Sequence, residues 1–288
     1  MDGFGFTLVL AAAFCHAGWN LIIKRLGGGG AEMLWIIATA TVVIYFPVAA
    51  FVFVAEGATI TLEAGALVVA SMVLHLAYFS LLQRGYRIGD LSVVYPTARA
   101  TGPLFAALFA VLVLGEVLSL QTAVGAAITI LGVLGLTLGA RRTGGGGVPR
   151  ASVVYGIGTG LFIASYTVLD AYAVATVMIS PILLDYGSNV GRSIVLFPAA
   201  RRGWTETARL WRTHRGALIL VGIISPLAYI LVLFALVFTP VVYVAPTREI
   251  SVVLSVLAGS ILLGEGDLKR RLIWAVVIFA GVGTLATG

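Results

Sequence analysis

Two stretches of this chain decide how it folds. Residues 95–116 read YPTARATGPLFAALFAVLVLGE, and residues 245–265 read APTREISVVLSVLAGSILLGE. Both carry Pro-Thr, a nearby arginine, a long apolar run and a closing Leu-Gly-Glu. Pro96 matches Pro246, and Glu116 matches Glu265 after a one-residue slip. Other segments echo at nearly the same offset. Leu-Ala-Tyr at 76–78 returns at 227–229, Phe-Pro at 46–47 returns at 197–198, and Gly132 matches Gly281. Trp19 falls near Tyr166. Several echoes at one spacing in so apolar a chain indicate an internal duplication at half length.

The surroundings of these stretches name the solvent. Of 288 residues, 60% are hydrophobic and only 10% charged, and mean hydropathy is +1.08. A water-exposed domain needs roughly 25–35% charged residues on its surface, so the chain belongs in a bilayer. Apolar runs of about 20 residues, long enough to span as helices, recur along the whole length. They predict ten helices at roughly 4–23, 31–55, 64–83, 90–114, 119–140, 151–172, 176–199, 216–238, 241–264 and 271–287. The segment at 201–216, RRGWTETARLWRTHRG, reads as a loop, as do the GGGG stretches at 27–30 and 144–147. The first apolar run lacks a basic leader and a small-residue cleavage site, so it reads as a retained helix.

The basic residues test that count. All 18 Lys and Arg except Arg99, Arg192 and Arg248 fall after predicted helices 1, 3, 5, 7 and 9. They therefore lie on one face of the membrane. The positive-inside rule puts that face in the cytoplasm and both termini outside. It also accounts for the net charge of +6 without nucleic acid as a partner. Each half contains five helices, and five is odd, so the second half enters the membrane from the opposite side. The fold class that follows is an all-α membrane protein. Its ten transmembrane helices form two five-helix inverted-topology repeats, residues 1–140 and 151–288, joined by a linker at 141–150. Such repeats serve secondary transporters, which alternate access around a midplane site.

Polar groups inside the spans are the candidate cavity residues. Arg99 and Arg248 are costly in a membrane and point to a substrate carboxylate, a gating acid or an interhelical ion pair. The motif pairing presents them as a repeated pair of arginines. Glu249 adjoins Arg248 but points away from it on a continuous helix. His16, Trp19 and Asn20 in helix 1, and His75, Tyr78 and Phe79 in helix 3, follow i, i+3, i+4 spacing and make one patch each. Tyr166 and Tyr229, repeat partners of Trp19 and Tyr78, extend these patches. Asp185, Ser188, Asn189 and Arg192 form a polar stripe on helix 7 that cannot face lipid. Asp185 and Glu249 are the acids available for proton coupling, although facilitated diffusion is equally compatible. Pro96 and Pro246 are candidate hinges. Glu116 and Glu265 read as capping groups.

The Trp-Asn of helix 1, the Pro…Gly-Glu motifs of helices 4 and 9 and the doubled five-helix plan resemble the drug/metabolite transporter superfamily, specifically its EamA-type members. The resemblance covers essentially the whole chain. It implies a bacterial inner-membrane secondary transporter in which helices 1–4 and 6–9 wall a central cavity. It also implies a small-molecule cargo, amino acids first, with aromatic or large apolar ones favoured as in bacterial aromatic amino-acid exporters. Drugs, nucleosides or sugars are the alternative cargo in the same fold. A polytopic enzyme or a channel is the reading from another class. Three histidines, one cysteine and no HExxH or GxSxG motif leave little with which to build an active site. Neither glycine stretch ends in the Gly-Lys-Ser/Thr of a P-loop, so no nucleotide or other cofactor is expected. The sequence does not predict an oligomeric state.

Overall fold

In the computed structural model, residues 2–26, 30–88, 91–138, 150–263 and 268–287 are described. The linker at 141–149, Glu265 and most of both GGGG stretches lie outside them. Among the described residues there is no strand. Eleven α-helices and one π-helical turn among the described residues make up the ten spans. The first repeat contains α1 (Gly3–Arg25), α2 (Ala31–Ala55), α3 (Leu62–Ile88), α4 (Leu91–Phe109) and α5 (Leu120–Leu138). The second contains α6 (Arg150–Ala175), α7 (Pro181–Arg202), α8 (Trp204–Phe238), α9 (Val241–Thr247), α10 (Ile250–Leu263) and α11 (Leu268–Ala286).

Helices dominate because a bilayer offers no partner for backbone amides, so each segment must satisfy its own. Ends are finished locally. Asp2 Oδ1 accepts from the Gly5 amide at 2.8 Å at the start of α1, and Lys24 and Arg25 lie at its negative end. Among the described residues, seven segments are long and apolar enough to cross a membrane by composition alone. The others fall short for visible reasons: α5 is shorter, α7 is diluted by its polar stripe, and α11 begins with Lys269, Arg270 and Arg271.

The packing displays the duplication. α1 packs on α8 as α6 packs on α3, and α1 meets α10 as α6 meets α4. Between the repeats like packs on like, α2 on α7 and α5 on α11. The last pair is set by glycine. A Cβ on Gly281 would come within 2.6 Å of the Thr129 amide nitrogen, and one on Gly125 within 2.9 Å of the Gly281 carbonyl. Small residues let membrane helices approach backbone to backbone, where dispersion contacts replace the absent hydrophobic force. Helix ends also meet as alternating crossings require. Ser180 Oγ donates to Glu56 Oε1 at 3.3 Å between two links predicted on the same face, and Phe4 stacks on Phe238 at 5.7 Å.

Three expectations change. Residues 204–213 are not a loop but helix, continuous with α8 except for a kink at His214, where φ is −128° and ψ 17°. Thr207 ties this arm to α7, its hydroxyl donating to the Ala200 carbonyl at 3.0 Å. Helix 9 is not one helix but two, α9 and α10, parted at Arg248 and Glu249. Helix 4 ends in a π-turn over Ala110–Leu114, closed by Gly115 at φ +69°, a conformation glycine adopts without a Cβ penalty.

Candidate functional site

The break in the ninth span builds the centre of the site. Proline has no amide hydrogen, so Pro246 cannot bond the carbonyl one turn back. α9 ends one residue later, and the chain tightens through i→i+3 bonds: Ser251 N to Arg248 O at 3.0 Å and Val252 N to Glu249 O at 2.9 Å. The two charged residues therefore sit at an interruption and not on a regular helix. By contrast, α4 runs through Pro96 unbroken.

Register then corrects the pairing of the arginines. Aligning Pro96 with Pro246 places Thr97 on Thr247, Ala98 on Arg248 and Arg99 on Glu249. Arg99 thus corresponds to Glu249, not to Arg248. These corresponding positions meet: Arg99 Nη2 lies 3.1 Å from Glu249 Oε1, and it also donates to Ser251 Oγ at 3.2 Å. Equivalent positions near a two-fold axis face each other. Two arginines there would repel, whereas Arg opposite Glu attracts. The pair is poorly hydrated, with side-chain exposures of 15% and 3%. Arg99 Nε and Glu249 Oε2 are buried without a hydrogen-bond partner among the described residues.

Arg248 is left with a different role. No carboxylate pairs with it among the described residues; its guanidinium carbon stands 5.8 Å from the centre of the Tyr229 ring, within cation–π range. Tyr229 belongs to a four-ring cluster. His75 stacks on Tyr166 at 4.0 Å and meets Tyr229 edge-on at 5.1 Å, while Tyr78 meets Tyr166 at 5.8 Å. His75, Tyr78, Tyr229 and Arg248 are half-buried although they sit well inside their spans. The structure therefore joins residues that the sequence left on separate helices: α3, α6, α8 and the α9–α10 break.

One member of this site was missed. Asp170 is fully buried on α6, and its Oδ2 accepts a hydrogen bond from the Tyr229 hydroxyl. Its Oδ1 has no hydrogen-bond partner among the described residues. Arg192, Arg248 and Asp185 lie within its electrostatic reach. A signal existed, because an acid inside a span is a functional candidate by default, and Asp170 matches Asn20 at the 150-residue offset.

The remaining candidates have mostly local partners. Asn189 Nδ2 donates to Asp185 Oδ2 at 3.0 Å and to its carbonyl at 2.9 Å; Arg192 donates to Ser188 Oγ at 3.2 Å. The helix-7 stripe is thus partly self-satisfied, with Asp185, Ser188 and Asn189 buried. On α1, His16 and Trp19 meet edge-on at 4.9 Å, and Asn20 Nδ2 returns to the His16 carbonyl at 2.8 Å. Arg99 and Arg248 are both within electrostatic reach of His16, which places this patch beside the break. Phe79 is half-buried and outside the four-ring cluster.

Glu116 shows how the repeats are stitched together. Its two carboxylate oxygens accept from the amides of Val241 at 2.7 Å and Val242 at 2.9 Å. It caps α9 of the opposite repeat, supplying negative charge where a helix start offers orphan donors. Its counterpart Glu265 lies outside the described residues.

The profile of the EamA-like transporter family matches the chain twice, over residues 3–138 and 150–287. The chain belongs to the EamA-like transporter family. As an EamA-like protein it is a multi-pass membrane protein of the drug/metabolite transporter superfamily that carries small molecules. A crystal structure of a protein 16% identical in sequence superposes with a TM-score of 0.75, covering 100% of this chain and 98% of that one. At that identity the likeness bears on fold alone, and it agrees with the EamA-like arrangement at full length. No curated protein sequence matches the chain.

Proposed function

We propose that this EamA-like protein is a secondary transporter that exports amino acids, aromatic or large apolar ones foremost, from the bacterial cytoplasm across the inner membrane. The observation that carries the reading is Arg248, a guanidinium with no carboxylate at ion-pair distance among the described residues, held at a helix break beside the Tyr229 ring, which clusters with His75, Tyr78 and Tyr166. A carboxylate can take the fork of the guanidinium through two parallel hydrogen bonds. A planar or bulky apolar side chain can then lie against the rings.

Alternating access would rock one repeat against the other. Pro246, next to the break, serves as a hinge, with Pro96 as its counterpart. The Arg99–Glu249 pair sits at the contact between the repeats. Asp170, Asp185 and Glu249 are the buried acids through which proton coupling would act. Orientation follows the charges: basic links in the cytoplasm, both termini outside.

Counterflow of labelled amino acids into liposomes holding the purified protein tests the reading. Saturable counterflow of phenylalanine or leucine, abolished by Arg248→Gln with folding retained, is expected. Folded protein that exchanges none of the amino acids, or exchanges nucleosides or sugars instead, overturns the cargo. An imposed pH gradient that drives uphill uptake establishes coupling, and its failure to do so establishes facilitated exchange.

A further inference from the structure

On the outside of the bundle, the helical arm at the start of α8 leans over α2 and leaves a groove of about 480 Å³. Its wall is almost wholly apolar, formed by residues such as Trp35, Ala40, Val43 and Ile44 from α2 and by Trp204 and Trp211 from the arm. One full charge stands at its edge: Arg212. Arg212 is exposed and has no partner among the described residues. One turn before it, Arg209 differs. It is engaged with Glu206, at 2.7 Å from Nε to Oε2 and 2.5 Å from Nη2 to Oε1. The Thr207 hydroxyl is committed to the Ala200 and Gly203 carbonyls, so the wall presents little else that is polar.

An apolar trough with a single unpaired cation at its mouth and indoles beside it has the amphipathic form of a phospholipid. We propose that this groove is a binding site for one anionic phospholipid, with an acyl chain along α2 and the headgroup phosphate on Arg212. Several facts point to this occupant. The trough lies on the bilayer-facing side of a membrane protein, at the end of the bundle that carries Arg201, Arg202 and Arg215. Interfacial basic residues attract anionic headgroups, and tryptophan rings settle at headgroup depth. The site adds a lipid requirement to the transporter, independent of the identity of its cargo.

Brominated lipids quench tryptophan fluorescence on contact, and Trp35, Trp204 and Trp211 all line the groove. The experiment reconstitutes the full chain in vesicles mixing brominated phosphatidylglycerol with plain phosphatidylcholine, and in the reverse mixture. The expected result is a preference of about fivefold for the anionic lipid, equivalent to the ~1 kcal/mol of one interfacial arginine. Arg212→Gln should abolish that preference, whereas Arg209→Gln should leave it unchanged. Val43→Phe, which fills the trough at an exposed position without adding an indole, should weaken contact with both lipids. Equal quenching by the two lipids in the unmodified protein overturns the proposal. So does a loss in Arg209→Gln as large as that in Arg212→Gln, which would mean diffuse charge attraction. Quenching by neither lipid would mean that protein covers the groove, and it overturns the proposal too.

Discussion

The ion pair across the two repeats yields the sharpest prediction. Replacing Arg99 with Met takes from Glu249, 3% exposed, its ion-pair partner; replacing Glu249 with Leu strands Arg99. Unit charges about 4 Å apart attract by about 4 kcal/mol at an effective dielectric near 20. Breaking a buried pair by removing one partner costs about 3–5 kcal/mol. Each single variant should therefore lower the unfolding temperature in lipid nanodiscs by roughly 6–20 °C, at about 2–4 °C per kcal/mol for large domains. The double variant Arg99→Met/Glu249→Leu, with no charge left to desolvate, should recover most of that loss. The reversed pair Arg99→Glu/Glu249→Arg should recover as well, because the two positions are equivalent across the repeat axis. The coupling in this double-mutant cycle should exceed ~1 kcal/mol. Losses that simply add in the double variant would refute the claim that these residues act as a pair. Recovery in the neutral double variant but not in the reversed one would refute the equivalence of their surroundings.

Three further outcomes are expected. Gly281→Val drives a side chain into the Thr129 backbone and should cost about 1–3 kcal/mol by overpacking, read as a lower unfolding temperature; an unchanged value would show that α5 and α11 can part freely. Glu116→Ala removes both acceptors from the start of α9 and should cost about 0.5–2 kcal/mol; Glu116→Gln should keep part of that, since its amide oxygen still accepts one bond, and equal losses in the two would argue against capping. Tyr229→Phe leaves buried Asp170 without its donor and should cost about 1–3 kcal/mol. Tyr229→Phe should also slow counterflow, whereas normal exchange and stability would remove the hydroxyl from the site.

Sequence alone determined the solvent, the spans and the two-repeat plan. Those properties depend on composition, run length and the one-sided placement of Lys and Arg, which local chemistry imposes. It also singled out most of the side chains that cluster around Tyr166 and the α9–α10 break, because a histidine, arginine or tyrosine in an apolar span is conspicuous. Tertiary structure decided which of them meet. Arg99 finds Glu249 because corresponding positions of opposed repeats face each other, and motif matching, which aligned one arginine with the other, could not see that. Asp170 drew no notice as a lone acid; it became part of the site only when α6 set it against Tyr229 of α8. Glu116 looked like a cap for its own neighbourhood, yet its amides lie 125 residues away in the other repeat. The arm at 204–213 read as a loop because its alternation of Trp, Arg and Thr is polar. It folds as a helix because Thr207 anchors it to α7 and its indoles face the groove. In each case the deciding interaction joins segments far apart in the chain, and only packing brings such segments within a few ångströms.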